Sequence, residues 1–187
     1  MRVRRVSAAA GYTLVEVLVV VGLIGVLSAI TALVMPTALA SARADSGASQ
    51  IMAILRVARE EAISQRRNIR VAFVAPNQIV ISRVEVPGPG ITVISQAWLE
   101  NGLAFRLFAG VPDTPDAFGN PAPRSFGGAT STAFTSSGEF VDQNGDPVNG
   151  TVFVGREHEP LTARAVSIFG PTALVRGWSW NGSRWTN

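Results

Sequence analysis

The N-terminal part of the chain contains a long apolar segment. Residues 17–35 form a run of 19 positions without a charged side chain. At about 1.5 Å per residue, a helix of that length spans roughly 28 Å, which is close to the thickness of the hydrocarbon core of a bilayer. The segment therefore predicts a membrane-spanning helix, which we place at residues 12–35.

After this segment the apolar residues follow the spacing of an amphipathic helix. Pro36 is expected to bend or interrupt the helix, because proline lacks an N–H and clashes with the preceding turn. Steps of three and four residues then connect the apolar positions Ala48, Ile51, Leu55, Ala58 and Ala62. Charged residues such as Arg59 are expected to lie mostly off this stripe. We predict a helix over residues 36–68 that packs a narrow face on a sheet.

From residue 69 onward the periodicity changes to that of β-strands. Runs of β-branched residues are separated by turn signals such as Pro76-Asn77-Gln78. Strands are predicted at residues 69–75, 79–86, 91–99, 103–108, 130–134, 140, 151–155, 163–169 and 173–180. A loop rich in proline and glycine is predicted at residues 110–128. The fold class is therefore α+β, with one long N-terminal helix packed on an antiparallel sheet or sandwich over residues 69–187.

Composition excludes several classes of enzyme. All 16 basic residues are arginine, there is no cysteine, and His158 is the only histidine. P-loop and Schiff-base chemistry both require a lysine, whereas disulfides, thiol nucleophiles and thiolate metal sites require cysteine. One histidine cannot form a multi-histidine metal site. We expect a protein without catalytic residues, cofactor or metal, and therefore not an enzyme.

The charge distribution argues for a membrane topology rather than for nucleic-acid binding. The formal net charge is +3, but Arg2, Arg4 and Arg5 lie within residues 1–11. Without those residues, 13 arginines balance 13 acidic side chains. Arginines without acidic neighbours before an apolar span predict a cytoplasmic N-terminus and an exported remainder.

Glu16 is unusual because it lies at the edge of the apolar span. A carboxylate there is costly and is usually paired, although it could also extend to the headgroup level. Gly11 lies five positions before Glu16, in the segment GYTLVEV at residues 11–17. This segment, followed by a long apolar helix, resembles the class III signal of type IV pilins and type II secretion pseudopilins. Tyr12 stands where the family more often has phenylalanine.

The resemblance implies a processing and assembly route. Residues 1–11 would be a leader, a prepilin peptidase would cut after Gly11, and Tyr12 would be N-methylated. The chain would be held in the inner membrane by a single span, with a periplasmic globular domain, before it enters a pilus or pseudopilus. Its partners would be other major and minor pilins and the inner-membrane assembly platform. Family members pair the residue equivalent to Glu16 with the N-terminal amine of a neighbouring subunit.

Three later segments are similar to the GspH/FimT family of minor pilins and pseudopilins. They are WLENGL at residues 98–103, AFTSSG at residues 133–138 and the strand pair at residues 166–176. This similarity implies a minor subunit near the tip of either a type II secretion pseudopilus or a type IV pilus.

An ordinary secretory signal peptide is the competing interpretation. Ala38-Leu39-Ala40 before Ser41 fits an A-x-A cleavage site and would release a Sec-secreted, β-rich binding domain. Signal-peptide apolar regions, however, contain about 7–15 residues, fewer than the run found here.

The C-terminal tryptophans allow two interpretations. Trp178 and Trp180 would share one strand face, and a turn at Asn181-Gly182 would return Trp185 opposite them, closing the sheet with a hydrophobic cluster. Alternatively, these rings could stack on bases while Arg176 and Arg184 contact phosphates. Some FimT-type relatives bind DNA during uptake through a Gly-Arg-x-Arg motif. Of that motif only the last arginine, Arg176, is present here.

Two further features are interpreted as structural. The segment DQNGD at residues 142–146 places oxygen ligands at alternate positions, as a calcium loop does. It lacks the glycine and the glutamate that such a loop needs, and Asn144-Gly145 is a strong turn signal, so we predict a turn. His158 is expected to lie in an exposed loop.

Overall fold

A computed structural model of the chain describes residues 12–88 and 90–187. Its first element is a helix, α1, which spans Leu14–Gln65. Pro36 lies inside α1, so of the two expected effects, a bend or an interruption, the interruption does not occur. A proline removes one backbone hydrogen bond, and the alanine and leucine residues around it favour the helix strongly enough to continue it. The chain divides into two units, one ending at Leu39 and the other spanning Ala40–Asn187.

The described part of the first unit consists almost entirely of helix. Its apolar side chains are exposed along the whole segment, as Leu18 and Leu33 illustrate. Among the described residues, α1 is the one helix with an apolar stretch long enough to cross a membrane.

The part of α1 that belongs to the second unit buries one narrow face. The predicted stripe is confirmed and extends further toward the N-terminus. Its buried members are Ala40, Ala44, Gly47, Ala48, Ile51, Leu55, Ala58 and Ala62. Most of these side chains are small, which allows the helix to approach neighbouring strands closely. A Cβ at Gly47, for example, would overlap the Leu103 side chain.

The second unit contains two antiparallel sheets. The first has the strand order β3-β2-β1-β6-β7, and the second has the order β11-β10-β9-β8-β4, with β5 also paired to β8. The strands are β1 Ile69–Val74, β2 Gln78–Val84, β3 Ile91–Trp98, β4 Leu103–Phe105, β5 Arg124–Ser125, β6 Thr132–Phe134, β7 Phe140–Val141, β8 Gly150–Arg156, β9 Glu159–Phe169, β10 Leu174–Trp180 and β11 Trp185–Thr186.

One hydrophobic core joins α1 to both sheets. Ile51 and Leu55 of the helix belong to the same buried cluster as Val71 of the first sheet and Val152 and Val166 of the second. The α+β prediction of a long helix packed on antiparallel sheets is therefore confirmed. All the predicted strands are present with shifted ends. The two-residue strand β5 was missed, because two residues carry no periodicity, whereas β11 contains Trp185, whose return along β10 was predicted.

The segments that carried the similarity to minor pilins lie at connections between strands. Residues 98–103 connect β3 in the first sheet to β4 in the second, and residues 133–138 include the turn between β6 and β7. Residues 166–176 contain the end of β9, the turn that follows it and the beginning of β10. Gly138 in the β6–β7 turn has a φ of 84°, and a Cβ there would lie 2.9 Å from Ile63 Cδ1. The turn therefore needs glycine both for its backbone and for its packing on α1.

Arg59 lies off the buried stripe, as expected, but its side chain nevertheless reaches the first sheet. Its Nε donates a hydrogen bond of 3.0 Å to the carbonyl oxygen of Gly138. The helical spacing separates the buried stripe from its flanks, but it does not show that a long flanking side chain reaches a turn of the sheet.

A buried arginine fixes the beginning of the second unit. Arg164 on β9 is almost fully buried and forms an ion pair of 2.5 Å with Asp45. It also donates to the side chain of Ser41 at 2.7 Å and to the carbonyl oxygens of Leu161 and Ala163. These hydrogen bonds compensate the desolvation of the guanidinium, which would otherwise be strongly destabilising.

A pair of substitutions on α1 tests the docking of the helix. In a fragment of residues 40–187, which contains the complete core, Leu55→Asp should lower the free energy of unfolding by at least about 3 kcal/mol, because it buries an unpaired carboxylate. Val57→Asp introduces the same carboxylate at a position where the side chain is 50% exposed. This control should change the free energy of unfolding by about 0.5 kcal/mol or less. Urea unfolding of both variants measures the difference. Equal effects would show that α1 is not docked through this face.

Candidate functional site

The beginning of α1 is fixed by a local hydrogen bond. The backbone N–H of Glu16 donates to the Thr13 hydroxyl at 3.1 Å, and the N–H of Val17 donates to the Thr13 carbonyl oxygen at 3.2 Å. Thr13 is therefore the N-cap residue, and Glu16 is the third residue of the helix, as in a capping box. Tyr12 and Thr13 precede the first helical residue, so the helix starts two residues later than predicted.

Glu16 lies where a negative charge is favoured, but the part of the chain that the structure describes forms no ion pair with it. The first turn of a helix carries a partial positive charge, which stabilises a carboxylate there. None of the ion pairs formed by residues 12–88 and 90–187 includes Glu16. Tyr12 is 83% exposed, and Glu16 is exposed as well. Gly11, the predicted cleavage position, lies outside the described residues.

The C-terminal tryptophans form a packed cluster. Trp180 on β10 pairs with Trp185 on β11, and their ring centroids are 5.5 Å apart. Trp185 also packs against Phe153, and its Nε1 donates to the carbonyl oxygen of Pro112 at 2.9 Å. Both tryptophans are only 8% exposed. The predicted return of Trp185 opposite Trp180 is therefore present, and it closes one end of the second sheet.

Asp116 holds two of the three other residues that were considered for nucleic-acid contact. Its carboxylate accepts hydrogen bonds from Arg176 Nη1 at 2.6 Å and from Trp178 Nε1 at 3.0 Å, and it also contacts the Ser167 hydroxyl. Arg184, by contrast, is exposed in the turn between β10 and β11. The four side chains are close in the chain, but three of them are engaged in packing or in hydrogen bonds within the unit.

Three residues anchor the proline- and glycine-rich loop at residues 110–128, namely Asp113, Arg124 and Asp116, whose contacts with β9 and β10 are given above. Asp113 accepts hydrogen bonds of 2.7 Å from the N–H groups of Thr114 and Gly119. Arg124 donates to the carbonyl oxygen of Phe73 and so ties the loop to the first sheet. The sequence did not identify Asp116, because an aspartate in a loop gives no sign of which distant strand it contacts.

The possible calcium loop forms a turn closed by its own hydrogen bonds. Asp142 Oδ1 accepts hydrogen bonds from the N–H groups of Asn144 at 2.8 Å and Asp146 at 3.0 Å. In the described part of the chain, no group of three or more acidic, histidine or cysteine side chains is placed to hold a metal ion. His158 is exposed in the turn between β8 and β9, as expected.

Comparison with known proteins identifies the N-terminal segment. Residues 6–32 match the family described as the prokaryotic N-terminal methylation motif. This match contains Gly11, Tyr12 and Glu16 together with most of the apolar span. No curated protein sequence matches the chain.

Two solved minor subunits are similar to the chain in structure. The minor pseudopilin EpsH from the type 2 secretion system of Vibrio cholerae is 16% identical, with a TM-score of 0.49 over 73% of this chain and 97% of that protein. The type IV minor pilin FimU of Pseudomonas aeruginosa is 18% identical, with a TM-score of 0.48 over 76% of this chain and 97% of that protein.

Removing the Asp116 carboxylate should destabilise the second unit. Asp116→Ala leaves Arg176, Trp178 and Ser167 without their shared acceptor, and should lower the free energy of unfolding by about 1–3 kcal/mol. Asp146→Ala is the matched control, because the Asp146 side chain is exposed. It should change the free energy of unfolding by about 0.5 kcal/mol or less. Chemical unfolding of residues 40–187 measures both. A harmless Asp116→Ala would mean that this network does not hold the loop.

Proposed function

We propose that this chain is a minor pilin or pseudopilin, a non-enzymatic subunit that is stored in the inner membrane and then assembled into a filament through α1. The observation that carries the proposal is the match of residues 6–32 to the N-terminal methylation motif. It is supported by the apolar stretch of α1 that follows and by the separate α+β unit of residues 40–187.

The apolar half of α1 is suited to two successive environments. Its exposed leucine, valine and isoleucine side chains would be unfavourable in water, and burial stabilises such a surface by roughly 25 cal/mol per Å². Lipid can cover this surface while the subunit is stored. The helices of neighbouring subunits can cover it after assembly. The same residues would therefore anchor the chain first and later hold it in the filament.

Glu16 would provide the specific contact within this apolar surface. The chain contains no lysine, and residues 12–42 contain no arginine. After cleavage at Gly11, the new amine of Tyr12 would therefore be the only cation on this stretch. An unpaired carboxylate in an apolar filament core is strongly unfavourable. Pairing between Glu16 of one subunit and the Tyr12 amine of another would thus favour one packing arrangement.

The remaining parts of the route follow from the same assignment. A prepilin peptidase would remove the leader, and the arginines that precede the span would keep the N-terminus cytoplasmic. The second unit would then lie in the periplasm, near the tip of a type II secretion pseudopilus or a type IV pilus. Its partners would be other pilins and the inner-membrane assembly platform.

Processing gives the first test. When the full chain is produced together with a prepilin peptidase, the mature protein should begin with N-methylated Tyr12. Gly11→Val should block cleavage, because a branched side chain replaces hydrogen at the cleavage position. Intact-mass and N-terminal analysis measure both chains. A mature protein that begins at Ser41 would instead identify a secretory signal peptide and would overturn the proposal.

The role of Glu16 gives a second test. Glu16→Ala should still be cleaved and remain in the membrane, because the substitution makes the span more apolar. Its incorporation into sheared filaments should decrease sharply, since the partner of the Tyr12 amine is lost. Val20→Ala trims a side chain on the same exposed helix but keeps the ion pair, so it should assemble much better than Glu16→Ala. Equal amounts of both variants in the filament fraction would contradict the proposed pairing.

A further inference from the structure

The first sheet ends in a long strand that is exposed throughout. β3 pairs with β2 on one side only, and all its residues are exposed except the half-buried Ala97. Its sequence, ITVISQAW, contains no charged side chain. The strands at the other ends of the two sheets, as described, are only two or three residues long. Proteins usually protect a long edge strand with charges or cover it, because its unpaired backbone can pair with another strand.

The register shows which backbone groups of β3 are free. The N–H of Leu99 donates to Asn77, and that of Glu85 donates to the carbonyl oxygen of Gly90. Along a strand of an antiparallel pair, every second residue bonds the facing strand through its N–H and C=O groups, and the residues between direct these groups to the other side. Counted from the two bonds above, four residues of β3 direct their N–H and C=O groups away from β2. These residues are Ile91, Val93, Gln96 and Trp98.

A β-bulge changes the alternation in the middle of the strand. The register shifts opposite Ile81 and Ser82, so that Ile94 is an extra residue between Val93 and Ser95. We call a residue outward-directed when its backbone N–H and C=O groups point away from β2. The outward-directed residues are odd-numbered before the bulge and even-numbered after it. This gives the edge a symmetric arrangement about the bulge.

The side chains of the same edge present an apolar strip. Ile91, Val93 and Trp98 are each about half exposed, at 51%, 50% and 52%. Free hydrogen-bonding groups next to exposed apolar side chains suit an extended strand, because a strand satisfies both at once. Lipid would cover the side chains but would leave the backbone groups unpaired.

We infer that this edge binds β3 of a second copy of the chain, antiparallel and about a two-fold axis. In that register Ile91 lies opposite Trp98, and Val93 lies opposite Gln96. Every outward-directed residue then faces another outward-directed residue of the partner. The two contacts between Ile91 and Trp98 are pairs of a β-branched and an aromatic residue, which stabilise antiparallel strands.

The absence of charge favours a second copy in particular. In a two-fold interface each surface meets an identical surface, so a charged strand would often oppose like charges. β3 presents none. One backbone group is already used, because Gln50 Nε2 donates to the Trp98 carbonyl oxygen at 3.2 Å. A carbonyl oxygen can accept two hydrogen bonds, so this contact is compatible with the pairing.

The inferred dimer goes beyond the proposed function and does not depend on it. It uses residues of the second unit alone, and it requires neither cleavage at Gly11 nor a filament.

Cysteine cross-linking of the full chain in detergent tests the register without background, because the chain has no cysteine. An equimolar mixture of Val93→Cys and Gln96→Cys proteins should form a disulfide-linked dimer. Each variant alone should not. Because of the bulge, Val93 and Gln96 lie two strand positions apart, opposite Ser82 and Val80. The two copies of one cysteine would therefore be offset by about 7 Å along the strands and separated by roughly 8 Å between Cα atoms, which is too far for a disulfide. Leu161→Cys, equally exposed on β9, is the control for random collision. A mixture that cross-links no better than this control would overturn the inference.

A charge exchange at the same positions gives an independent test. The double variant Val93→Lys with Gln96→Lys places lysines opposite each other twice, whereas Val93→Lys with Gln96→Glu places lysine opposite glutamate twice. The dissociation constant of the dimer, measured by sedimentation in detergent, should be at least about tenfold higher for the first variant. If the copies instead associated through α1, the two variants would have the same dissociation constant. Equal dissociation constants in two variants with the same thermal unfolding would overturn the proposed pairing.

Discussion

The globular unit depends on how closely α1 can approach two sheets at once. Ala44, Gly47, Ala48, Ala58 and Ala62 keep the buried face narrow, and only Ile51 and Leu55 extend far into the core. Larger side chains on this face would separate the helix from the strands, because protein interiors contain little free volume. The aromatic and β-branched residues of the sheets supply most of the remaining core. A small-residue helix and large-residue sheets are therefore complementary parts of one packing arrangement.

The parts of this fold that repeat with a local period could be predicted from the sequence. The stripe from Ala48 to Ala62 and the alternation along the strands follow directly from residue spacing. The contacts of Arg59 and Asp116 could not be predicted, because each joins residues that are far apart in the chain. The interruption considered at Pro36 does not occur, since the rule for proline describes a local cost that flanking residues can exceed.

The candidate sites were predictable to different degrees for the same reason. The N-terminal site consists of neighbouring residues, so its spacing is visible in the sequence and matches a known motif. The tryptophan and arginine residues near the C-terminus were identified as a group, but their role depended on Asp116 and on Phe153. Aromatic and basic side chains suit both packing and nucleic-acid contact. Only the positions of their partners distinguish the two uses.

The hydrogen bond from Glu16 to Thr13 has a consequence for maturation. The residue that caps α1 lies on the side of the proposed cut that remains in the protein. Thr13 would still be present in the proposed mature chain, so the same first turn could form after a cut behind Gly11. In that case the peptidase would change the charge at the end of the chain without changing the helix that carries it. Maturation would switch the electrostatics of a preformed element, with no refolding step.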